Sequence, residues 1–435
     1  MASDAALERS TLRKAALRLL PLMGLGYGIA FMDRVNISFA ALQMNRDLHF
    51  SASVYGLGAG LFFISYAALE IPSNLILARV GARRWIARIM FTWGVIAVGM
   101  MFVRTPWQFY VMRFLLGAAE AGFFPGVIYH LTLWFPAQHR GRAISRFYVA
   151  GPLASAFMGA VAGSLLGLEG RLSLSGWQWL FLVQGIPAIL MSLLFLLYLP
   201  DTPATAKWLS SDEKRWLETG LAADHALTRS PGEHNTFKAL RDPRVLAFVA
   251  LNFMTLGAYY AFNLSAPSVL ETATGLSAGR IGFFVSIAGL MGAAAMIFNG
   301  WHSDLRRERY LHLAAPLLIQ AACFAVMAST HAPVVMLGAY MILITANWAA
   351  AAVIWLIPGE ILDPRSVAVA VAGINGIGQL GSFVMPYAWG LARDATGDFH
   401  TGLAALTAPY LIAGAIVLVL RQGHRRRLLT VAPAA

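Results

Sequence analysis

Residues 177–199 read WQWLFLVQGIPAILMSLLFLLYL, with no Asp, Glu, Lys or Arg. As a helix rising 1.5 Å per residue, this stretch is about 35 Å long, enough to cross a hydrocarbon core of roughly 30 Å. Lipid cannot satisfy backbone N–H and C=O groups, so such a stretch must bond to itself as a helix. The charged residues that follow, Asp201, Lys207, Asp212, Glu213, Lys214 and Arg215, mark where the chain leaves the bilayer. Working outward in both directions, eleven more blocks of this kind appear. The first six spans are predicted near 17–43, 53–78, 85–103, 107–131, 144–168 and 177–199. The second six are predicted near 244–268, 279–301, 311–330, 333–357, 366–391 and 402–421.

Composition agrees. The chain is 58% hydrophobic and only 12% charged, against about 25% charged in an ordinary soluble domain. It has too little polar surface to cover a water-facing sphere, which argues against a large soluble enzyme. Cys323 is the only cysteine. An intrachain disulfide and a cysteine metal cluster are therefore excluded, and Cys323 reads as a small apolar helix residue. There is no nucleophile elbow or phosphate loop, and no metal site or cofactor is expected. The histidines fall in loops or near span ends, His130 near the end of span four. They read as solvated or capping groups. Residues 1–18 are polar and basic, and the apolar stretch after them is too long for a cleaved signal peptide. The first span is therefore expected to be retained.

The long polar segment between spans six and seven divides the chain. The expected organisation is a six-helix bundle over 1–200, a cytoplasmic linker over 201–243 and a second six-helix bundle over 244–435. An amphipathic helix is expected around 212–221. With the N-terminus in the cytoplasm, 26 of the 33 Lys and Arg residues fall on the cytoplasmic side and five on the other: Arg46, Arg104, Arg171, Arg280 and Arg393. This positive-inside bias places both termini on the cytoplasmic side of the membrane. It accounts for the net charge of +12 without nucleic acid as a partner. Basic ends such as residues 424–427 are expected to rest against anionic lipid.

The halves carry a weak repeat. Asn74 to Gly81 (NLILARVG) ends span two, and Gly300 to Arg309 (GWHSDLRRER) ends span eight. Both begin at about the same distance into their halves, as suits two bundles that rock about a shared site. The segment with Gly300, Asp304 and Arg306 resembles the signature loop of the major facilitator superfamily. In the first-half copy, Asn74 and Ala78 replace the usual Gly and Asp. That departure resembles one branch, the anion:cation symporters. So do Phe31–Ser38 (FMDRVNIS), Glu70–Asn74 (EIPSN), Arg113–Gly126 (RFLLGAAEAGFFPG), Leu199–Leu209 (LPDTPATAKWL) and Ile374–Pro386 (INGIGQLGSFVMP). The resemblance runs over most of the chain. It implies an all-α major facilitator fold of twelve helices, working as a monomer.

Charges at membrane depth cost roughly 2.5–3.5 kcal/mol each even on gentle insertion scales, so they point to function. The first half has Asp33 and Arg34 in span one, and Arg113 and Glu120 in span four. Glu70 lies near the cytoplasmic end of span two. The second-half acids Asp304, Glu360 and Asp363 sit at loop ends. Adjacent residues project about 100° apart on a helix, so Asp33 and Arg34 do not face each other. Arg113 and Glu120 share a face but are separated by ~10 Å along the axis. Each charge is therefore expected to pair across helices. All four ionised sum to zero, so an arriving anion would favour protonation of one carboxylate and could take over a freed guanidinium, whose fork matches a carboxylate.

Resemblance to the galactonate-type members implies the same division. Asp33 and Glu120 would couple protons, and Arg34 would bind the anion; Arg113, the other buried guanidinium, is a further expected substrate-binding residue. Tyr66, Trp355 and Asn375 would contact substrate. Glu70 and Asp304 read as gate or helix-end groups. Gly373, Gly376 and Gly378 suggest close backbone approach beside Asn375. Asn252, Tyr259, Tyr260, Asn263, Asn347, Trp348 and Gln379 are further polar or aromatic candidates. Phe31 and Ala352 stand where that type has a tyrosine and a serine, which favours a less hydroxylated, aromatic acid. The expected function is proton-coupled uptake of a small organic anion. An uncoupled facilitator or channel and a sodium-coupled symporter are the alternatives. Span seven lacks the arginine of a sugar-phosphate antiporter. Ser155 and Ala156 occupy the places of the paired glycines in the drug-exporter motif.

Overall fold

The computed structural model describes residues 2–228, 241–358 and 364–431. Span one is α1 (Ala2–Asp47), span two α2 (Ala52–Val80) and span three α3 (Ala82–Gly99). Span four is split into α4 (Pro106–Glu120) and α5 (Phe123–Thr132), and span five into α6 (Ala137–Tyr148) and α7 (Ala150–Leu166). Span six is α8 (Gly176–Tyr198), and the linker carries α9 (Ser211–Thr228). Span seven is split into α10 (Pro243–Asn263) and α11 (Ala266–Thr274). Spans eight to twelve are α12 (Ala278–Arg306), α13 (Tyr310–Ser329), α14 (Pro333–Ala351), α15 (Pro364–Thr396) and α16 (His400–Val431).

Eleven of these spans are long and apolar enough to cross a membrane, and the 33-residue α15 supplies the twelfth. The protein is thus an all-helical, multi-pass membrane protein. Twelve crossings put both chain ends on one side, here the terminal side; the other is the far side.

Local chemistry sets the helix starts. Ser51 caps α2 by accepting from Val54 N, and Thr105 caps α4 ahead of Pro106. Ser175 and Gln178 form a capping box at α8. Each side chain satisfies an N–H that the helix cannot. Gly81, at φ 94°, makes the turn between α2 and α3. There the Asp201 carboxylate accepts the Arg83 N–H at 2.8 Å. Asp201, from the end of span six, thus supplies a carboxylate at the loop where Ala78 replaces the motif's acid.

Besides the split of span five, four spans differ from their predicted form. Helix α1 begins at Ala2, not near residue 17, so the polar tail continues span one as helix. Lys14 Nζ reaches Glu213 at 2.8 Å, and Ser10 Oγ donates to the same carboxylate at 3.0 Å. Span four breaks at Ala121, and Gly122 takes φ 87°. Span seven breaks at Leu264 and Ser265. In span ten the regular helix stops at Ala351, and turns over 352–356 carry Trp355. Hydropathy registers how apolar a segment is and cannot register where its backbone turns. Glu360, Asp363 and His234 lie outside the described residues.

The amphipathic linker helix forms as α9, longer than the predicted 212–221. Its Leu217 is fully buried. Just before α9, Trp208 stacks on Trp134 with 5.4 Å between ring centroids, and Arg18 of α1 lies over Trp208. Cys323 is a buried free thiol within α13.

The two halves meet along spans two and eleven and along spans five and eight. Glycine makes these seams possible. A Cβ on Gly159 would lie 2.5 Å from Gly282 O, and Gly163 abuts Gly279 in the same way. Small residues let the backbones touch, and the contact area replaces a hydrophobic driving force that lipid does not provide. Gly151 packs against the Trp348 indole of the other half. Gly151, Gly159 and Gly163 of span five therefore face the other half.

Candidate functional site

Arg34 lies 13 residues before the end of α1, Glu120 ends α4, and Tyr66 lies 14 residues into α2. At 1.5 Å per residue, all three are about 20 Å from the far side, near mid-membrane. Three spans thus deliver a cation, an anion and a phenol to one level.

Arg34 donates to Glu120 Oε1 from Nε at 3.1 Å and from Nη2 at 2.5 Å. Its guanidinium also lies 5.1 Å from the Tyr66 ring centroid and 5.7 Å from that of Phe62. Such placement over a ring face is attractive. Glu120 is the last residue of its helix segment, because Ala121 leaves helical geometry and Gly122 is left-handed. Its second oxygen, Oε2, is buried without a partner.

The expected cross-helix pairing forms for Arg34 and Glu120 but not for the other two charges. Among the described residues, no Arg or Lys nitrogen lies within 4.0 Å of the Asp33 carboxylate, and Asp33 Oδ2 has no partner. Arg113 lies about one span-third nearer the far side. It donates from Nη2 to Ala59 O at 3.3 Å and sits 4.9 Å from the Phe62 ring centroid. A residue offset of seven moved Arg113 away from the level of Asp33. Exposure separates the roles the four can take. The Arg34 side chain is 15% exposed, whereas Glu120 is fully buried and Asp33 and Arg113 are each 2% exposed. Of the four, only Arg34 keeps an appreciable exposed surface.

Aromatic side chains surround this level. Tyr27 packs on Phe31, Phe147 and Tyr148, and Phe31 faces Trp348 of the other half at 5.2 Å between centroids. Phe63 meets Tyr260 across the halves at 4.3 Å, and Tyr260 touches Tyr259. Sequence reading named Trp348 and Phe31 separately. Their meeting depends on helix packing, not on spacing.

Asn375 of α15 donates to both oxygens of Glu70 at 3.2 and 3.3 Å, crossing between the halves. Glu70 is therefore an interdomain partner, about 27 Å from the far side by helix rise. Of the glycines near Asn375, Gly378 abuts the Asn252 side chain, which donates to Ile374 O at 3.0 Å. Gly376 has open space beside it, contrary to the close approach expected there. Gln379 is buried with Oε1 unpartnered. Trp355 is half-buried in the turns after α14 and is not brought to Arg34 by any ring contact among the described residues. Asp304 pairs with Arg309 at 2.5 Å inside its own half and is 67% exposed.

Two histidine readings need correction. His130 is fully buried with both ring nitrogens unpartnered, not solvated or capping. His302 Nδ1 and His312 Nε2 are 2.7 Å apart, and His312 also faces Glu308, which holds Arg421. These contacts join spans eight, nine and twelve at the terminal side, where sequence spacing carried no signal. Among the described residues, no group of three or more His, Cys, Asp or Glu is placed to hold a metal ion.

A cavity of about 200 Å³ lies between the far-side ends of the halves, lined among others by Asn45, Tyr55, Leu264, Ser268, Pro386 and Arg393. None of the four central charges lines it.

Comparison with known proteins agrees with the architecture. The Major Facilitator Superfamily model matches residues 23–386. A "Putative tartrate transporter" of Agrobacterium vitis is 41% identical over 414 residues, covering 95% of this chain and 92% of that protein. The "Quinolone resistance transporter" of Acinetobacter baumannii is 38% identical, covering 93% of this chain and 92% of that protein. Among solved structures, an inward-facing, unoccupied bacterial homologue of the human lysosomal transporter Spinster superposes with a TM-score of 0.77. It is 17% identical, with 93% of this chain and 96% of that one covered. Twelve spans in two packed halves, with buried charge at mid-depth, define a membrane transport protein. The chain belongs to the major facilitator superfamily.

Proposed function

We propose that this protein is a proton-coupled symporter that takes up a small organic anion by alternating access, with the terminal side facing the cytoplasm. The observation that carries the reading is the Arg34–Glu120 pair, mid-membrane and half-satisfied: both donors of Arg34 converge on Oε1, and Oε2 stays bare.

An anion reaching this level would find one accessible guanidinium already engaged. Its carboxylate displaces Glu120 from Arg34. Glu120 would then be an uncompensated buried charge, which costs several kcal/mol. Protonation of Glu120 removes that charge, and Asp33, equally buried, supplies a second site for the proton. Arg113 supplies positive charge to both acids without touching cargo. Anion and proton thus travel together because either alone leaves the site out of balance.

The cargo best suited to the walls is a carboxylate on a planar, aromatic body. Tyr66 lies under the Arg34 guanidinium, and Tyr27, Phe31, Tyr148 and Trp348 form a connected cluster of rings; stacked or edge-on ring contacts add about 0.5–1.5 kcal/mol each. The relative named a putative tartrate transporter supports an organic acid as cargo. Asn375, Trp355 and Tyr66 are assigned to cargo contact, and Glu70 with Asn375 to the gate beneath it. Both walls come from one chain, so a single copy suffices.

Uptake into proteoliposomes tests this. An inward proton gradient should drive accumulation of a labelled aromatic carboxylate, and an equal sodium gradient should not. Accumulation driven by sodium alone, or linear flux without saturation, would replace this reading with the sodium-coupled or channel alternative.

A further inference from the structure

Helix α2 starts on the far side with three N–H groups that have no partner inside the helix. One, Val54 N, is taken by Ser51 of the same half. The other two are taken by the opposite half: Ala52 N donates to Asp394 Oδ1 and Ser53 N to Asp394 Oδ2, each at 2.9 Å. A carboxylate in a two-point grip on a helix N-terminus combines charge-assisted hydrogen bonds with the positive end of the helix dipole.

The backbone is built for this grip. Gly390 lies one turn before Asp394 on the same face of α15, and it abuts Ala52 O so closely that a side chain there would collide. Gly56 packs in the same way against Pro386 O further along the seam. Tyr55 adds another link between the halves, its hydroxyl donating to Leu264 O at 2.8 Å. Under this clasp lies the far-side cavity. Among the described residues, the hydrogen bonds joining the halves run from this clasp, through Ser286 Oγ to Ala156 O, to Asn375 and Glu70 on the terminal-side flank of the Arg34 level. Asp304, by contrast, is tied within its own half on the terminal side.

We infer that Asp394 is the latch of the far-side gate: its carboxylate holds the first turn of span two, and that grip must open each time the far side opens to receive cargo. Opening parts α2 from α15, so the two N–H groups exchange a carboxylate for water. The latch therefore sets how often the far side opens. It takes no part in binding cargo or moving protons. This rests on the alternating-access reading above.

The test uses the full-length protein with Cys323→Ser and Ser268→Cys, which places a single thiol in the cavity wall. Labelling by a membrane-impermeant maleimide from the far side reports opening and needs no cargo. Asp394→Asn keeps the shape, removes the charge and can accept with only one oxygen. It should raise the labelling rate by about threefold or more. Asp394→Glu should stay near the parent rate. A second variant pair, Ser53→Cys with Asp394→Cys, should stop transport when oxidised and recover it on reduction. Unchanged labelling in Asp394→Asn, or transport by the oxidised pair, overturns the latch. If the parent thiol shows no change in labelling when cargo and proton gradient are applied, the alternating-access reading fails instead.

Discussion

Arg34 and Glu120 are separated by 86 positions in the chain, yet Arg34 Nε and Nη2 both point at one oxygen, Glu120 Oε1, while Oε2 of the same carboxylate is buried and bare. The pair is therefore not the two-point fork that an arginine and a carboxylate can form. In the proposed function, the bare oxygen is where a proton would bind, and cargo would replace Glu120 on the guanidinium.

Glu120→Gln should separate exchange from accumulation. The amide keeps size and can accept from Arg34, but it cannot take up or release a proton. Counterflow of labelled cargo should survive, while proton-driven accumulation should fall to the background. Normal accumulation by this variant would remove Glu120 from the coupling step.

Arg34→Lys should weaken cargo binding by about thirtyfold or more, although charge is conserved. A lysine cannot offer two fixed donors or lie flat over the Tyr66 ring, and losing one partner of a buried charge contact costs roughly 2–5 kcal/mol. Isothermal titration with a benzoate-type ligand measures this. Arg113→Lys should change affinity far less, because that side chain does not reach accessible space.

Gly282→Val should leave a folded protein that cannot close its far side. The Gly282 and Gly159 backbones touch between spans five and eight, so a branched side chain must push the halves apart. Transport should be lost, while labelling of a far-side cysteine rises. Lost transport with labelling at the parent rate would place the defect elsewhere.

The linker's attachment should be sensitive to acid. Burial pushes the Glu213 carboxyl up, but hydrogen bonds from Lys14, Ser210 and Ser10 outweigh this and hold it below the usual range. A carboxyl whose pKa is lowered by folding stabilises the folded form above its unfolded value and loses that contribution as pH falls through the folded one. Hydrogen exchange in α9 should therefore accelerate below about pH 4.5. Glu213→Gln should show the faster exchange already at pH 7. Equal exchange in both proteins at pH 7 would mean the carboxylate does not hold α9.

Much of the fold was legible because lipid imposes a simple rule. An apolar stretch of spanning length must be a helix, so residues 177–199 and their eleven counterparts could be placed from composition. The polar segment after Leu199 was legible for the same reason, as were the four buried charges, since no other residue type is so costly at that depth. The breaks at Ala121, Leu264 and Ala351 were not legible. A turn inside an apolar span keeps the same residue types and changes only the backbone direction.

The sequence by itself determined a twelve-span membrane protein in two halves, with two acids and two guanidiniums inside the first. Only the tertiary structure decided that Arg34 takes Glu120 while Asp33 and Arg113 stay apart, that Glu70 answers Asn375, and that Asp394 grips the start of span two. The physical reason is range. Apolar periodicity acts along one helix, whereas an ion pair or a clasp depends on the relative depth and rotation of two helices. Those are set by where glycines let backbones meet, and no single segment contains that information.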